Sequence, residues 1–286
     1  MTAGLIIVLL AAIGVGCAWL AGNIAAAPAR AVIGPPPPDI ALEPVAFNSG
    51  SGRRLAGWFG QGREGAGSVI LMHGIRANRL EMLDRARFLS TAGFSVLLFD
   101  FQAHGESTGE YMSFGHLEAR DARAAFDFLR TKTPAERISL IGMSLGGAAA
   151  ILSEPAIDAD AMVLEAVFAS FEQAIRNRIV LYLGHSAPWL ARALMWQAKT
   201  RLEFDPQSLN PAGQIDRIRA PLLLIAGEAD AHATLGEMEL IYARANDPKE
   251  LWIVPGARHV DFHRYAKIEY ERRVLAFLSR HLARHR

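Results

Sequence analysis

The residue best placed to do chemistry is Ser144, in Gly142-Met143-Ser144-Leu145-Gly146. A serine hydroxyl is a weak nucleophile until a base takes its proton and a third group holds that base. Residues 137–141, short, apolar and β-branched, predict a buried strand. Residues 145–152, with two glycines and a run of alanines, predict a tightly packed helix. A serine between the two occupies a strained turn. Glycines two positions to either side are required, because side chains there would collide with the neighbouring strand and helix. The turn lifts the hydroxyl out of the sheet. It also aims the Leu145 N–H and the helix N-terminus at the same point.

The base and its partner follow in the order serine, acid, histidine when a serine sits on such a turn. Four histidines lie between Ser144 and the C-terminal tail: His185, His232, His259 and His263. His259 follows the last predicted strand, in Pro255-Gly256-Ala257-Arg258-His259, at the edge where Ser144 emerges, and is the expected base. His185 falls in a helical insertion, His232 near the acid loop and His263 in the final helix. Asp230, in Gly227-Glu228-Ala229-Asp230 after the strand at 221–226, is the expected acid. Glu165 at the end of its own strand, Glu228 nearer its strand end and Asp261 beside the histidine are the alternatives. A developing oxyanion needs two preorganised donors, each worth about 3 kcal/mol. The Leu145 N–H is one. The Ile75 N–H, in His73-Gly74-Ile75 after the first buried strand, is the other, with His73 bracing its loop.

The elements that must position these residues alternate. Strands are expected at 41–48, 54–61, 67–72, 94–100, 137–141, 161–166, 221–226 and 250–254. Helices are expected at 79–92, 117–130, 145–152, 235–245 and from 262 to the end. Strands alternating with helices imply a mostly parallel sheet covered on both faces, with an early antiparallel pair at one edge. Residues 168–204 lack a strand pattern and predict a small helical cap. Its Trp, Met, Leu and Ile content suits either an apolar lid or simple packing on the body.

His73-Gly74, then Asp100-Phe101-Gln102-Ala103-His104-Gly105-Glu106-Ser107, then the Ser144 turn, Asp230 and His259 together resemble the α/β-hydrolase superfamily. Within it the pattern is similar to the serine aminopeptidase/lysophospholipase-like hydrolases, over roughly residues 41–283. Those commonly carry Asp-Tyr-Arg-Gly-His-Gly-x-Ser. Here Phe101, Gln102 and Ala103 depart from it, which removes an arginine of structural use. Ala233-Thr234 also stands where a proline is often found. The resemblance implies an α/β-hydrolase fold and hydrolysis through an acyl-enzyme, but does not choose among esterases, thioesterases and peptidases. A serine at the turn, where dehalogenases and epoxide hydrolases carry aspartate, points to acyl transfer. The expected activity is carboxylic ester hydrolysis of apolar acyl or lipid-like substrates. An aminopeptidase, with Glu172 or Glu203 holding the substrate amine, is the alternative. A catalytically idle scaffold is the third reading.

The chain has 286 residues, 51% hydrophobic and 21% charged, with a net charge of +1. No strong field recruits nucleic acid. One cysteine, Cys17, excludes an internal disulfide and a cysteine-built zinc cluster. Residues 105–109 lack the following lysine of a phosphate loop, so neither metal nor cofactor is expected. Residues 4–22 carry no charge, and the uncharged run continues to Ala29, long enough to span a bilayer. Residues 1–29 are therefore expected to be a retained transmembrane anchor contacting the membrane through 4–27. A signal peptide cleaved near Ala27-Pro28-Ala29 and an acylated Cys17 are the alternatives. The first basic residue, Arg30, mildly favours its own side as cytoplasmic and leaves the side open. Residues 30–40, with four prolines, read as a stiff spacer, and 41–286 as the hydrolase domain with its cap. The basic residues Arg272, Arg273, Arg280, Arg284 and Arg286 read as a solvated helix face.

Overall fold

A computed structural model describes residues 2–184, 188–201 and 204–283. The apolar N-terminal run forms α1, Thr2–Ala26, which leads into a two-residue strand β1, Ala29–Arg30. Side chains in α1 are described at positions 4, 5 and 12–26. Among the described residues no helix is long and apolar enough to cross a membrane.

The body is built on eight strands: β2 (Glu43–Asn48), β3 (Arg54–Gly60), β4 (Ser68–Met72), β5 (Ser95–Phe99), β7 (Ile138–Met143), β8 (Ala161–Glu165), β9 (Leu222–Gly227) and β10 (Lys249–Val254). A further short strand, β6 (His104–Gly105), pairs in parallel with β1. The sheet order is β10-β9-β8-β7-β4-β5-β3-β2, and only β3 runs against its neighbours. The five central strands from β5 to β9 are buried along their whole length, which is why each reads as a short continuous apolar run rather than an alternation. The chain leaves β4 first toward β5 and then returns to place β7 on its other side. That reversal opens a crevice beyond the carboxyl ends of β4 and β7, where ligands bind in sheets of this kind.

Helices α2 (Leu83–Ala92), α3 (His116–Lys132), α4 (Leu145–Leu152), α7 (Leu235–Arg244), α8 (Phe262–Tyr265) and α9 (Lys267–Leu282) cover the two faces. They divide the interior into two apolar clusters. One holds Phe99, Phe126, Leu140 and Ile151, and the other holds Val69, Leu98, Ile141 and Phe277. The expected final helix is broken in two at Ala266, whose ψ of 46° is not helical. The first expected helix likewise opens with a 3₁₀ turn at Arg79–Met82, capped by the Asn78 side chain. The insertion forms two helices, α5 (Phe171–Leu183) and α6 (Pro188–Arg201).

The proline run does not hold α1 away from the body. Contact begins before it: Ala29 N–H donates to the Ala103 carbonyl (2.8 Å) and Ala31 N–H to the Gly105 carbonyl (3.0 Å). Within it, the Gly34 N–H donates to Glu106 (3.1 Å), and Asp39 pairs with Arg87 (2.7 Å). Polyproline has no internal hydrogen bonds and is free to lie extended along a surface that offers partners at its ends.

Candidate active site

Ser144 lies one residue past the end of β7 with φ 50° and ψ −106°, a left-handed strain of order 1–3 kcal/mol. Two backbone bonds hold it there. Its N–H donates to the Glu165 carbonyl on the neighbouring strand (2.7 Å), and its carbonyl accepts from Ala148 in the first turn of α4 (3.0 Å). The flanking glycines act as the sequence requires. A methyl group on Gly142 would meet the Gly147 nitrogen at 2.5 Å, and one on Gly146 would drive into the Met72 carbonyl of β4. Gly147, outside the five-residue pattern, faces Val167 just as closely. Helix α4 thus sits on the sheet with almost no side chain between them.

The loops after β9 and β10 bring Asp230 and His259 together. The His259 Nδ1 and the Asp230 Oδ2 are 2.7 Å apart. The other carboxylate oxygen accepts from the N–H groups of His232 (2.7 Å) and Ala233 (3.0 Å). The carboxylate is fully buried and cannot rotate without breaking backbone bonds. With Nδ1 engaged, Nε2 is the nitrogen left to exchange a proton. β7, β9 and β10 are parallel members of one sheet, so Ser144, Asp230 and His259 emerge at the same edge.

The other carboxylates are committed elsewhere. Glu165 receives both Arg85 (2.6 Å) and the Tyr270 hydroxyl in a fully buried cluster. Asp261 pairs with the same Arg85 (2.9 Å) and caps α8. Glu228 accepts from the Gly256 N–H (2.8 Å). His263 is bound to Glu271 (2.9 Å) and stacked on Phe88. The His232 ring stands 5.1 Å from the His259 ring, and burial lowers its pKa first, the His259 charge second. His185 and Glu203 lie outside the described residues.

The expected oxyanion donors are braced from behind. Among the described residues, neither the Ile75 nor the Leu145 N–H has an internal acceptor. The Gly74 N–H donates to Glu81 (2.6 Å), and the Gly74 carbonyl accepts from His73 Nδ1 (2.7 Å). The other nitrogen of His73 accepts from Phe101 N–H (3.1 Å). Both bonds require the neutral ring, and burial, aided by His104, pushes its pKa down to about 3. His104 does for Arg76 what His73 does for Gly74: its Nε2 accepts from the Arg76 N–H (3.1 Å), stabilising a turn with φ 60°. Sequence reasoning singled out His73 and missed His104. The signal was present in its spacing, since His104-Gly105 follows Asp100 at the separation found in the Asp-Tyr-Arg-Gly-His-Gly-x-Ser pattern. The buried Asp100 is gripped by Arg79 through both backbone and guanidinium (2.8 and 2.6 Å), and that guanidinium also meets Glu106 and lies 4.6 Å from the Trp58 ring. An arginine from another part of the chain therefore anchors the loop that departs from the family pattern.

Ser144, Leu145 and Ile75 share one cavity of about 660 Å³. Its other walls come from α1, α5 and α6, and include Phe168, Phe171, Ile179 and Leu194. The cap is tied to the acid loop by Glu237, which also closes the capping box of α7, and by Asn177. Glu237 accepts from Ala169 N–H (3.0 Å), Thr234 (2.9 Å) and the Asn177 amide (2.6 Å), and the same Asn177 amide donates to the His232 carbonyl (3.0 Å).

The sequence model of the family described as "Serine aminopeptidase, S33" matches residues 63–214. The uncharacterized protein Rv2307c of Mycobacterium tuberculosis is 31% identical over 222 residues, 76% of this chain and 72% of that one. The uncharacterized protein YqkD of Bacillus subtilis is 27% identical over 245 residues, 83% and 80% of the two chains. Among solved structures, the Pyrococcus furiosus esterase Pf2001 superposes with a TM-score of 0.73 at 28% identity, covering 90% of this chain and 98% of its own. The chain belongs to the serine aminopeptidase (S33) family of the α/β-hydrolase superfamily.

Proposed function

We propose that the protein is a carboxylic ester hydrolase acting through a Ser144–His259–Asp230 triad and an acyl-enzyme. His259 Nε2 takes the Ser144 proton as the hydroxyl oxygen attacks the ester carbonyl. The N–H groups of Ile75 and Leu145 hold the oxyanion. The protonated imidazole then gives its proton to the departing alcohol, and water repeats the sequence to release the acid. The observation that carries the reading is the Asp230–His259 bond, made by one oxygen of a buried carboxylate whose other oxygen is anchored by two backbone N–H groups. The likeness to an esterase at 28% identity supports the reaction class.

The family's description names an aminopeptidase, which would need a carboxylate to bind the substrate amine. Among the described residues, the cavity lining carries Arg76 and Arg178 and no carboxylate. Glu172 is paired with Arg176 (2.7 Å) and lines a different depression. Two cations in the cavity that holds the nucleophile repel an ammonium group, so an ester is the better substrate. A panel of p-nitrophenyl esters and aminoacyl amides tests this: ester turnover is expected, abolished in Ser144→Ala. Amide turnover with no ester turnover would reverse the assignment.

We propose further that α1 is a retained membrane anchor. Its exposed apolar side chains, among them Leu5, Ile13, Val15 and Leu20, support this. So do the bonds from residues 26–31 to the body, which cleavage near Ala27 would disrupt. Carbonate extraction of cell membranes is the test: the protein should stay with the pellet, whereas release by cleavage would leave a shortened chain in the supernatant.

A further inference from the structure

We infer that the last turns of α1 are a wall of the acyl-binding cavity, and that this helix selects which fatty acyl chains reach Ser144. The inference rests on Ser144 being the acyl acceptor. It goes beyond an anchor: it gives the N-terminal helix a part in substrate choice.

Ala21, Gly22, Ile24 and Ala25 of α1 line the same cavity as Ser144 and Leu145. Their placement is fixed. The last carbonyls of a helix lack intrahelical partners and must find donors elsewhere. Here the body supplies them. The Ile24 carbonyl accepts from the Arg76 guanidinium (3.1 Å) and the Ala26 carbonyl from the Met112 N–H (2.9 Å), while one turn further back the Gln197 amide of α6 adds a bond to the Trp19 carbonyl (3.0 Å). β1 then locks the chain onto β6. Arg76 is the residue after Ile75, so the end of α1 is tied one position from an oxyanion donor. A helix loosely tethered to the body would have no such bonds.

The chemistry of the wall names the ligand. Three of the four α1 residues are alanine or glycine. A methyl group on Gly22 would run into the Gln197 amide, so the end of that side chain lies directly against the α1 backbone. Small residues on this side leave the volume open, and larger ones would fill it. The facing residues, Ile175, Ile179, Leu190 and Leu194, are aliphatic. Such an aliphatic stretch suits a hydrocarbon chain better than a sugar, whose hydroxyls would lose water there without replacement. The border is apolar too: Ile24 and Tyr182 line the cavity yet are 61% and 72% exposed. A fatty acyl chain therefore meets mainly apolar surface between the border and Ser144.

The test uses the full chain in detergent and p-nitrophenyl esters from butanoate to hexadecanoate, reading kcat/KM for each. The wild type is expected to prefer long esters to butanoate. Ala25→Trp should lower the dodecanoate-to-butanoate ratio by at least about tenfold, the scale at which a pocket resolves chain length. Ile24→Ala, which removes bulk and carries little risk to folding, should raise hexadecanoate relative to dodecanoate. Leu20→Trp, on the same helix but off the lining, should leave the ratios as in the wild type. Unchanged profiles in both lining variants would overturn the wall, and so would a wild type that prefers butanoate. In either case, fluorophosphonate labelling of Ser144 would show that the acyl-enzyme reading still stands. Absence of labelling in the wild type would remove that reading and the inference with it.

Discussion

The two sides of the cavity are built by different rules. On the sheet side the groups around Ser144 are held by buried polar partners: His73 and His104 behind the Gly74–Arg76 loop, Arg79 on Asp100, two backbone N–H groups on Asp230. On the other side, α1, α5 and α6 present mainly hydrocarbon to the cavity and to the surface, with Leu183 and Trp196 more than half exposed. Catalysis needs donors and acceptors that do not reorganise as charge develops. Selectivity needs only walls whose bulk can vary. The chain therefore puts fixed polar networks on the sheet and leaves the apolar side to helices.

That contrast can be broken at several points. The largest effect should come from Ser144→Ala, which is expected to lower kcat by about 10⁴–10⁶-fold, measured on the best ester with folding checked by circular dichroism. Asp230→Asn follows, at about 10⁴-fold, because His259 would be held in the wrong tautomer. Glu165→Ala is its counterpart. It leaves the buried Arg85 with Asp261 as its remaining carboxylate partner and should cost about 3 kcal/mol of stability in urea unfolding, with kcat of the folded fraction within a few-fold. Reversed outcomes for these two acids would exchange their roles.

Two buried groups on the sheet side should titrate against each other. His73, pushed down to about 3 from 6.5, is neutral when folded and protonated when unfolded in that window. Its contribution is whole above pH 6.5 and lost as pH falls, by up to about 1.4 kcal/mol per unit. Asp121, whose carboxylate accepts from the Gln102 N–H (2.8 Å), is raised by burial to about 7 from 3.8. It keeps its proton when folded, so stability falls as pH rises from 3.8 to 7. Asp121→Asn should expose a steeper acid loss, and His73→Asn a loss toward neutral pH. Unfolding midpoints at pH 5 and 7 that move alike in both variants would contradict these assignments. The smallest effect is expected on the helical side. Trp196→Ser should change stability by no more than about 0.5 kcal/mol while reducing retention on lipid vesicles. A loss of several kcal/mol would mean that this surface is part of the core.

The sequence was most legible where chemistry imposes spacing. The glycines around Ser144 follow from the collision of one helix with one strand, and both collisions are found, with Gly147 as a third. The buried strands read clearly because a sheet covered on both faces needs unbroken apolar runs. The acid could be ranked only by its distance from a strand end, so Glu165 stayed open until Arg85, more than seventy residues upstream, was seen to hold it. The links from Glu237 to Ala169 and Asn177 were illegible for the same reason: those partners are distant in sequence. The docking of α1 was illegible for another. A helix apolar on every face gives no periodicity to distinguish the side that meets the body from the side that does not. The carbonyl bonds that fix its end carry no residue signature at all.

The central claim is that Ser144 is the acyl acceptor. Mass spectrometry of trypsin-digested protein after brief exposure to a fluorophosphonate addresses it directly. The account predicts a single adduct on Ser144, in the peptide 138–176, absent from the Ser144→Ala variant and strongly slowed in Asp230→Asn. An unmodified Ser144 under conditions that label a control serine hydrolase, or an adduct on another residue that persists in Ser144→Ala, would contradict it.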